Sequence, residues 1–396
     1  MEMGAVSQIA RKTPMPLSKS SLTTSNASVE FTASESKRVP QLDGIRGVAV
    51  LFVILGHYLF YQPAHGIWLS YLTRATRLAW VGVDLFFVLS GFLITGILLD
   101  HKNGGNLLRV FYTRRAARIL PIYVATLLGC AVFFHFLGSL GQFKWLFSNQ
   151  LPGWSYATFT QNILMGWLKD YGGSFLGVTW SLAVEEQFYL IWPWVVILCR
   201  SHRQIFIICV ICVIISPILR ARVSDFSFVN MPFRMDSLFI GAIGAIVVRT
   251  PRVVALLKLK AGSLRLLVMF LTPPGLFVMY QNTLRALPHS IVSLWFGLIL
   301  VDSLFEPMSG LARVLSWSWL RWFGSISYGL YLFHEPVRGL LHGWLLGKQP
   351  QLTTPAEAGV TILSLIVCIS LAAFSAMYYE SVFLRWGRKI NYAGAR

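Results

Sequence analysis

Residues 42–58 read LDGIRGVAVLFVILGHY. The run is apolar enough to enter a bilayer, yet Arg46 stands near its start and His57 near its end. An ionisable side chain at the bilayer centre costs about 2.5–3.5 kcal/mol on insertion scales, so a chain keeps one there only if it pairs or works. Eleven residues are three helical turns, which puts Arg46 and His57 on nearly the same helix face. At a 1.5 Å rise per residue they lie about 16 Å apart, roughly half a hydrocarbon core. The stretch therefore predicts a membrane helix that carries chemistry along one side.

The rest of the chain extends that reading. Its 396 residues are 55% hydrophobic and 13% charged, with a mean hydropathy of +0.62. A soluble domain carries about 25% charged residues. Apolar runs of spanning length recur at roughly 42–62, 79–99, 118–138, 176–199, 204–220, 235–249, 264–280, 289–304, 321–341 and 357–380. The expected fold is an all-α integral membrane protein, a bundle of about ten transmembrane helices over residues 40–384. Residues 1–39 are polar, lack the apolar core of a signal peptide, and read as a disordered cytoplasmic tail. Residues 385–396 read as a short basic cytoplasmic C-terminus.

The net charge of +18 invites a nucleic-acid reading, but its distribution argues against one. With the N-terminus inside, the tail, the even-numbered connections and the C-terminus hold 23 of the 34 Lys and Arg, and the odd-numbered connections hold 10. That bias is the positive-inside rule, with both termini cytoplasmic, and no nucleic-acid partner is expected. The five cysteines all fall in or beside apolar runs, Cys209 and Cys212 included, and read as small apolar filler rather than a metal or redox motif. No metal site and no resident cofactor are expected.

The topology assigns each polar residue a depth. His57, Asp84, Glu185, Asp236 and His334 come from five helices and fall in the same outer half of the bilayer. In VTWSLAVEEQFYL (178–190), Ser181, Glu185 and Tyr189 form a polar stripe at i, i+4 and i+8. Glu186 points about 100° away, and Glu185 is the preferred site residue. In SISYGLYLFHEP (325–336), Ser327, Tyr331 and Glu335 repeat that spacing beside His334. A histidine facing a carboxylate can do general acid–base work, the carboxylate orienting the imidazole. On the cytoplasmic side Arg115 and Arg118 stand one turn apart, spaced to clamp a phosphate or to act as a membrane anchor.

These segments, in this order, resemble the membrane-bound acyltransferase 3 family, whose members O-acylate bacterial surface polysaccharides, lipopolysaccharide, Nod factors and macrolides. The matching stretches are LDGIRGVAVLFVILGHY, GVDLFFVLSGFLITGIL, YTRRAARILPIY, TWSLAVEEQFYLIWP, DSLFIGAIGA and ISYGLYLFHEPV, between about residues 40 and 380. The resemblance implies transfer of an acyl group, taken here as acetyl, from cytosolic acyl-CoA to a hydroxyl of a carbohydrate or glycolipid. It makes Arg46 and His57 the family's Arg-x10-His pair, Arg115 and Arg118 its RxxR, and Glu185 its fourth-helix acid. Some members carry a further SGNH-type domain, which this chain is too short to include after the bundle, so the bundle is expected to act alone or with a separate partner.

The candidate catalytic pair is thus His57 with Glu185 as its polarising acid. Arg46, Arg115, Arg118, Asp84, Ser181, Asp236, Tyr331 and His334 are the candidate binding residues. Acyl-CoA is the expected co-substrate, and a bacterial inner membrane the expected location. The alternatives are a proton-coupled transporter using intramembrane His and carboxylates, and a non-catalytic membrane scaffold.

Overall fold

The computed structural model describes residues 39–60, 71, 76–223, 225–260, 262–263, 266–267, 270 and 287–393. Residues 1–38, most of the expected seventh span and most of the first outer connection lie outside them. The described residues form helices α1 (Pro40–Leu55), α2 (Gly82–His101), α3 (Leu107–Leu137), α4 (Trp180–Leu198), α5 (His202–Arg220) and α6 (Met235–Val247). They continue with α7 (Pro251–Leu259), α8 (Pro288–Phe305), α9 (Gly310–Leu315), α10 (Ser318–Leu346), α11 (Pro355–Phe374) and α12 (Ser381–Arg388). Short helices between α3 and α4 include Gln161–Leu168.

Among the described residues, seven helices are long and apolar enough to cross a membrane, or eight if α6 and α7 make one broken span. That pair bends by 94° at its break, where Pro251 opens the second helix. The ninth expected span appears as α10, 29 residues long. Its His334, Glu335 and Arg338 leave it too polar to count by composition, and all three are buried.

Two glycine contacts set the geometry around the site. A Cβ on Gly47 would stand 2.0 Å from the carbonyl oxygen of Leu320, and one on Gly324 would stand 1.9 Å from that of Asp43. The backbones of α1 and α10 therefore touch, which hydrocarbon tails alone would not enforce but small residues permit. Gly91 and Gly241 do the same for α2 and α6, at 1.8 and 1.9 Å from opposing carbonyl oxygens. Of α2's apolar window 72% is buried, against 17% for α5, so α2 is central and α5 peripheral. The last turn of the first span, Gly56–Phe60, is a π-helical segment carrying His57, a geometry often found at functional sites.

Candidate active site

A cleft of about 810 Å³, counted to its open mouth, runs between α1, α2, α3, α4 and α10. Six of the ten candidate residues line it: Arg46, Arg115, Arg118, Ser181, Glu185 and Tyr331. Arg46 is held by Asp43 at 3.0 Å, one turn back on the same helix. Arg115 and Arg118 make no ion pair with a described residue. Arg115 instead lies against the rings of Phe111 and Tyr189, at 5.9 and 5.8 Å. Both arginines are half-buried residues of the cleft lining, and a guanidinium offers five donors and no acceptor. Arg114, between them and the chain end, is different, since it donates to the Ile390 carbonyl through Nε (2.9 Å) and Nη2 (2.7 Å).

Glu185 lines the same cleft. Its carboxylate accepts from the Ser90 hydroxyl at 2.8 Å and the Tyr189 hydroxyl at 3.2 Å. One turn away, the Ser181 and Tyr331 hydroxyls are 2.5 Å apart, and Tyr331 also donates to the Val178 carbonyl at 2.7 Å. Ser327 and Tyr328 line the cleft beside Glu185, so α4 and α10 run antiparallel past this contact. His334 therefore lies on the far side of the Ser181–Tyr331 contact from Glu185.

This corrects the expected pairing of His57 with Glu185. His57 packs edge-on against His334, ring centroids 4.8 Å apart. The carboxylate beside the two rings is Glu335, and one ring nitrogen of each histidine and one Glu335 oxygen lie within 4.8 Å of one another. Both rings are oriented through Nδ1, His57 by the Val53 carbonyl (2.9 Å) and His334 by the Tyr331 carbonyl (2.6 Å). Arg338 closes the group, donating to both Glu335 oxygens at 2.9 and 2.8 Å and to the His57 carbonyl. Tyr331, 5.8 Å from His334 between ring centroids, is the wall between this pair and the cleft.

Asp84 and Asp236 lie elsewhere. Asp84 accepts from Arg234 at 2.7 Å and Ser237 at 3.0 Å, with His289 at 3.1 Å. Asp236 takes a two-armed contact from Arg220 at 3.0 and 2.6 Å, plus Ser290 at 2.5 Å. Both carboxylates are fully buried and neither lines the cleft. The five residues expected at a common depth are thus divided among separate clusters.

The sequence reading missed the partners. Arg220 and Arg234 count there as charges of an outer connection, although each follows or precedes an apolar run within a few residues. Arg338 stands one turn after Glu335, a spacing that signals a same-helix ion pair. Nothing along the chain signals that Arg234 meets Asp84, 150 residues away.

Residues 39–373 match the family described as an acyltransferase domain. The chain is 29% identical over 390 residues to the peptidoglycan O-acetyltransferase OatA of Listeria monocytogenes, covering 91% of this chain and 58% of that protein. It is 30% identical over 326 residues to the putative peptidoglycan O-acetyltransferase YrhL of Bacillus subtilis, covering 76% of this chain and 48% of that one. A putative O-acetyltransferase of Staphylococcus aureus, SACOL0978, is 26% identical over 391 residues, 92% and 60% of the two chains. The chain thus spans about half to three-fifths of the length of these curated relatives. No solved structure matches it.

Proposed function

Because this chain belongs to the acyltransferase 3 family, we propose that it is a multi-pass O-acyltransferase that moves an acetyl group from cytosolic acetyl-CoA to a glycan hydroxyl. The observation that carries the reading is the cleft with three guanidiniums at one end and the Ser181–Tyr331 wall, backed by the histidine pair, at the other. Arg46, Arg115 and Arg118 would bind the phosphates of the donor, since guanidinium groups match phosphate oxygens in charge and geometry. The roughly 16 Å from Arg46 to His57 along one helix matches the reach of an extended pantetheine arm. His57 would act at the thioester, either as base for the acceptor hydroxyl or as transient acyl carrier.

In this reading the arginine end faces the cytoplasm, about ten spans cross a bacterial plasma membrane, and both termini lie inside. Acyl-CoA is a co-substrate rather than a resident cofactor. The relatives' names make peptidoglycan the first acceptor to test, with other surface polysaccharides and lipopolysaccharide next. Membership of an acyltransferase family lends the transporter alternative no support.

Labelled acetyl-CoA given to inverted membrane vesicles containing wild type or His57→Ala, at matched expression, tests this. Base-labile label in the glycan or lipid fraction that depends on His57 is the expected result. Its absence, with folded protein and native acceptor present, would overturn acetyl transfer.

A further inference from the structure

The second histidine carries an inference that rests on the acetyl-transfer reading and deepens it. His334 is fully buried, and its Nε2 has no hydrogen-bond partner among the described residues. The Nδ1–H of the ring donates to the Tyr331 carbonyl, so in the neutral ring Nε2 holds the lone pair. His57 has the same tautomer, because the Val53 carbonyl can only accept from its Nδ1. One ring nitrogen of each histidine shares one small space with a Glu335 oxygen, and both Glu335 oxygens already accept from Arg338. One oxygen atom placed about 2.8 Å from each nitrogen fits across a span of 4.8 Å or less. A hydroxyl has one proton to give, so two bases at one oxygen are redundant unless one nitrogen does something else.

We propose that His334 is a second catalytic base, which takes the proton of the acceptor hydroxyl while His57 carries the acyl group. The His57 Nε2 lone pair attacks the thioester carbonyl, a C–N bond forms, the C–S bond breaks, and CoA leaves as the thiolate. The acceptor oxygen then attacks the acyl carbon and its proton passes to His334 Nε2. The C–N bond breaks, its electron pair returns to His57, and the proton on His334 balances the thiolate released earlier. His57 is partly exposed and His334 is not, so the acceptor enters at His57 with its hydroxyl leading. Burial of the second base keeps water from the same attack.

The test uses the full chain in native vesicles, with His334→Gln and His334→Asn beside wild type and acetyl-CoA labelled in the acyl group. Removing a general base costs about 10²–10⁴-fold, so glycan acetylation should fall by at least about 100-fold. Label on His57, located by peptide mapping after a rapid quench, should rise about tenfold or more above wild type with acceptor present. Near-normal transfer in a folded variant, or lost transfer without labelled His57, overturns the proposal and leaves acetyl transfer by wild type standing. Stoichiometric bound metal in wild type that is lost in His334→Gln also overturns it, because Nε2 would then be a metal ligand. Should neither variant fold, ¹⁵N-histidine spectra of wild type decide, since an Nε2–H signal from His334 excludes it as the base. Absence of His57-dependent label in wild type, by contrast, is a failure of the acetyl-transfer reading itself.

Discussion

The hydroxyls of Ser181 and Tyr331 lie 2.5 Å apart although 150 residues separate them in the chain. This contact joins α4 to α10 and completes the wall between the arginine cleft and the histidine pair. Tyr331→Phe keeps the ring but removes its bonds to Ser181 and Val178, a loss of about 1 kcal/mol per net hydrogen bond. Tyr331→Ala removes the wall. Acetyl-CoA hydrolysis without acceptor should rise relative to transfer in the alanine variant and stay near wild type in the phenylalanine one. Thiol release with and without glycan measures both.

Arg115 and Arg118 should govern donor affinity. A charge-assisted hydrogen bond contributes about 1.5–3 kcal/mol, so Arg115→Ala and Arg118→Ala should each raise KM for acetyl-CoA about tenfold or more. Arg114→Ala should leave KM unchanged and lower stability instead, since Arg114 is bonded to the Ile390 carbonyl. Initial-rate kinetics on the three variants, alongside thermal unfolding in detergent, separates the two outcomes.

Gly47→Val and Gly324→Val force a Cβ to about 2 Å from a facing carbonyl oxygen. Overpacking costs at least about 1–3 kcal/mol, and here the backbone must move. Because α1 runs directly into the π-helical turn that carries His57 and α10 carries His334, kcat should fall in whatever protein remains folded. Gly129→Ala, where an added Cβ meets nothing within 4 Å, should be neutral or stabilising. Melting temperatures and kcat of the three report the difference.

Asp84 and Arg234 form a buried pair at 2.7 Å. Asp84→Asn leaves a guanidinium uncompensated in the bundle, at a cost of about 3–5 kcal/mol. The apolar double replacement Asp84→Leu with Arg234→Met should recover much of that loss. Donor KM should change little in the folded double variant, as neither residue lines the cleft. A shift in KM as large as that of Arg115→Ala would place the pair in the binding site.

The chain's own order of residues determined the helical membrane class, most spans and the identity of the polar side chains in them. Hydropathy and helical spacing are properties of neighbours in sequence, and the i, i+4, i+8 stripes of Ser181–Glu185–Tyr189 and Ser327–Tyr331–Glu335 can be read from them. Depth along a helix follows from counting residues, so Glu185, Asp84 and His57 could be expected at a similar depth. What they face could not. That depends on the rotation and approach of whole helices, which the Gly47–Gly324 and Gly91–Gly241 contacts set between segments far apart in the chain. Tertiary packing alone decided that His57 meets His334 and Glu335 rather than Glu185, and that Arg220 and Arg234 neutralise Asp236 and Asp84. A buried charge takes the partner that packing brings within hydrogen-bond distance, and no local pattern records which one that is.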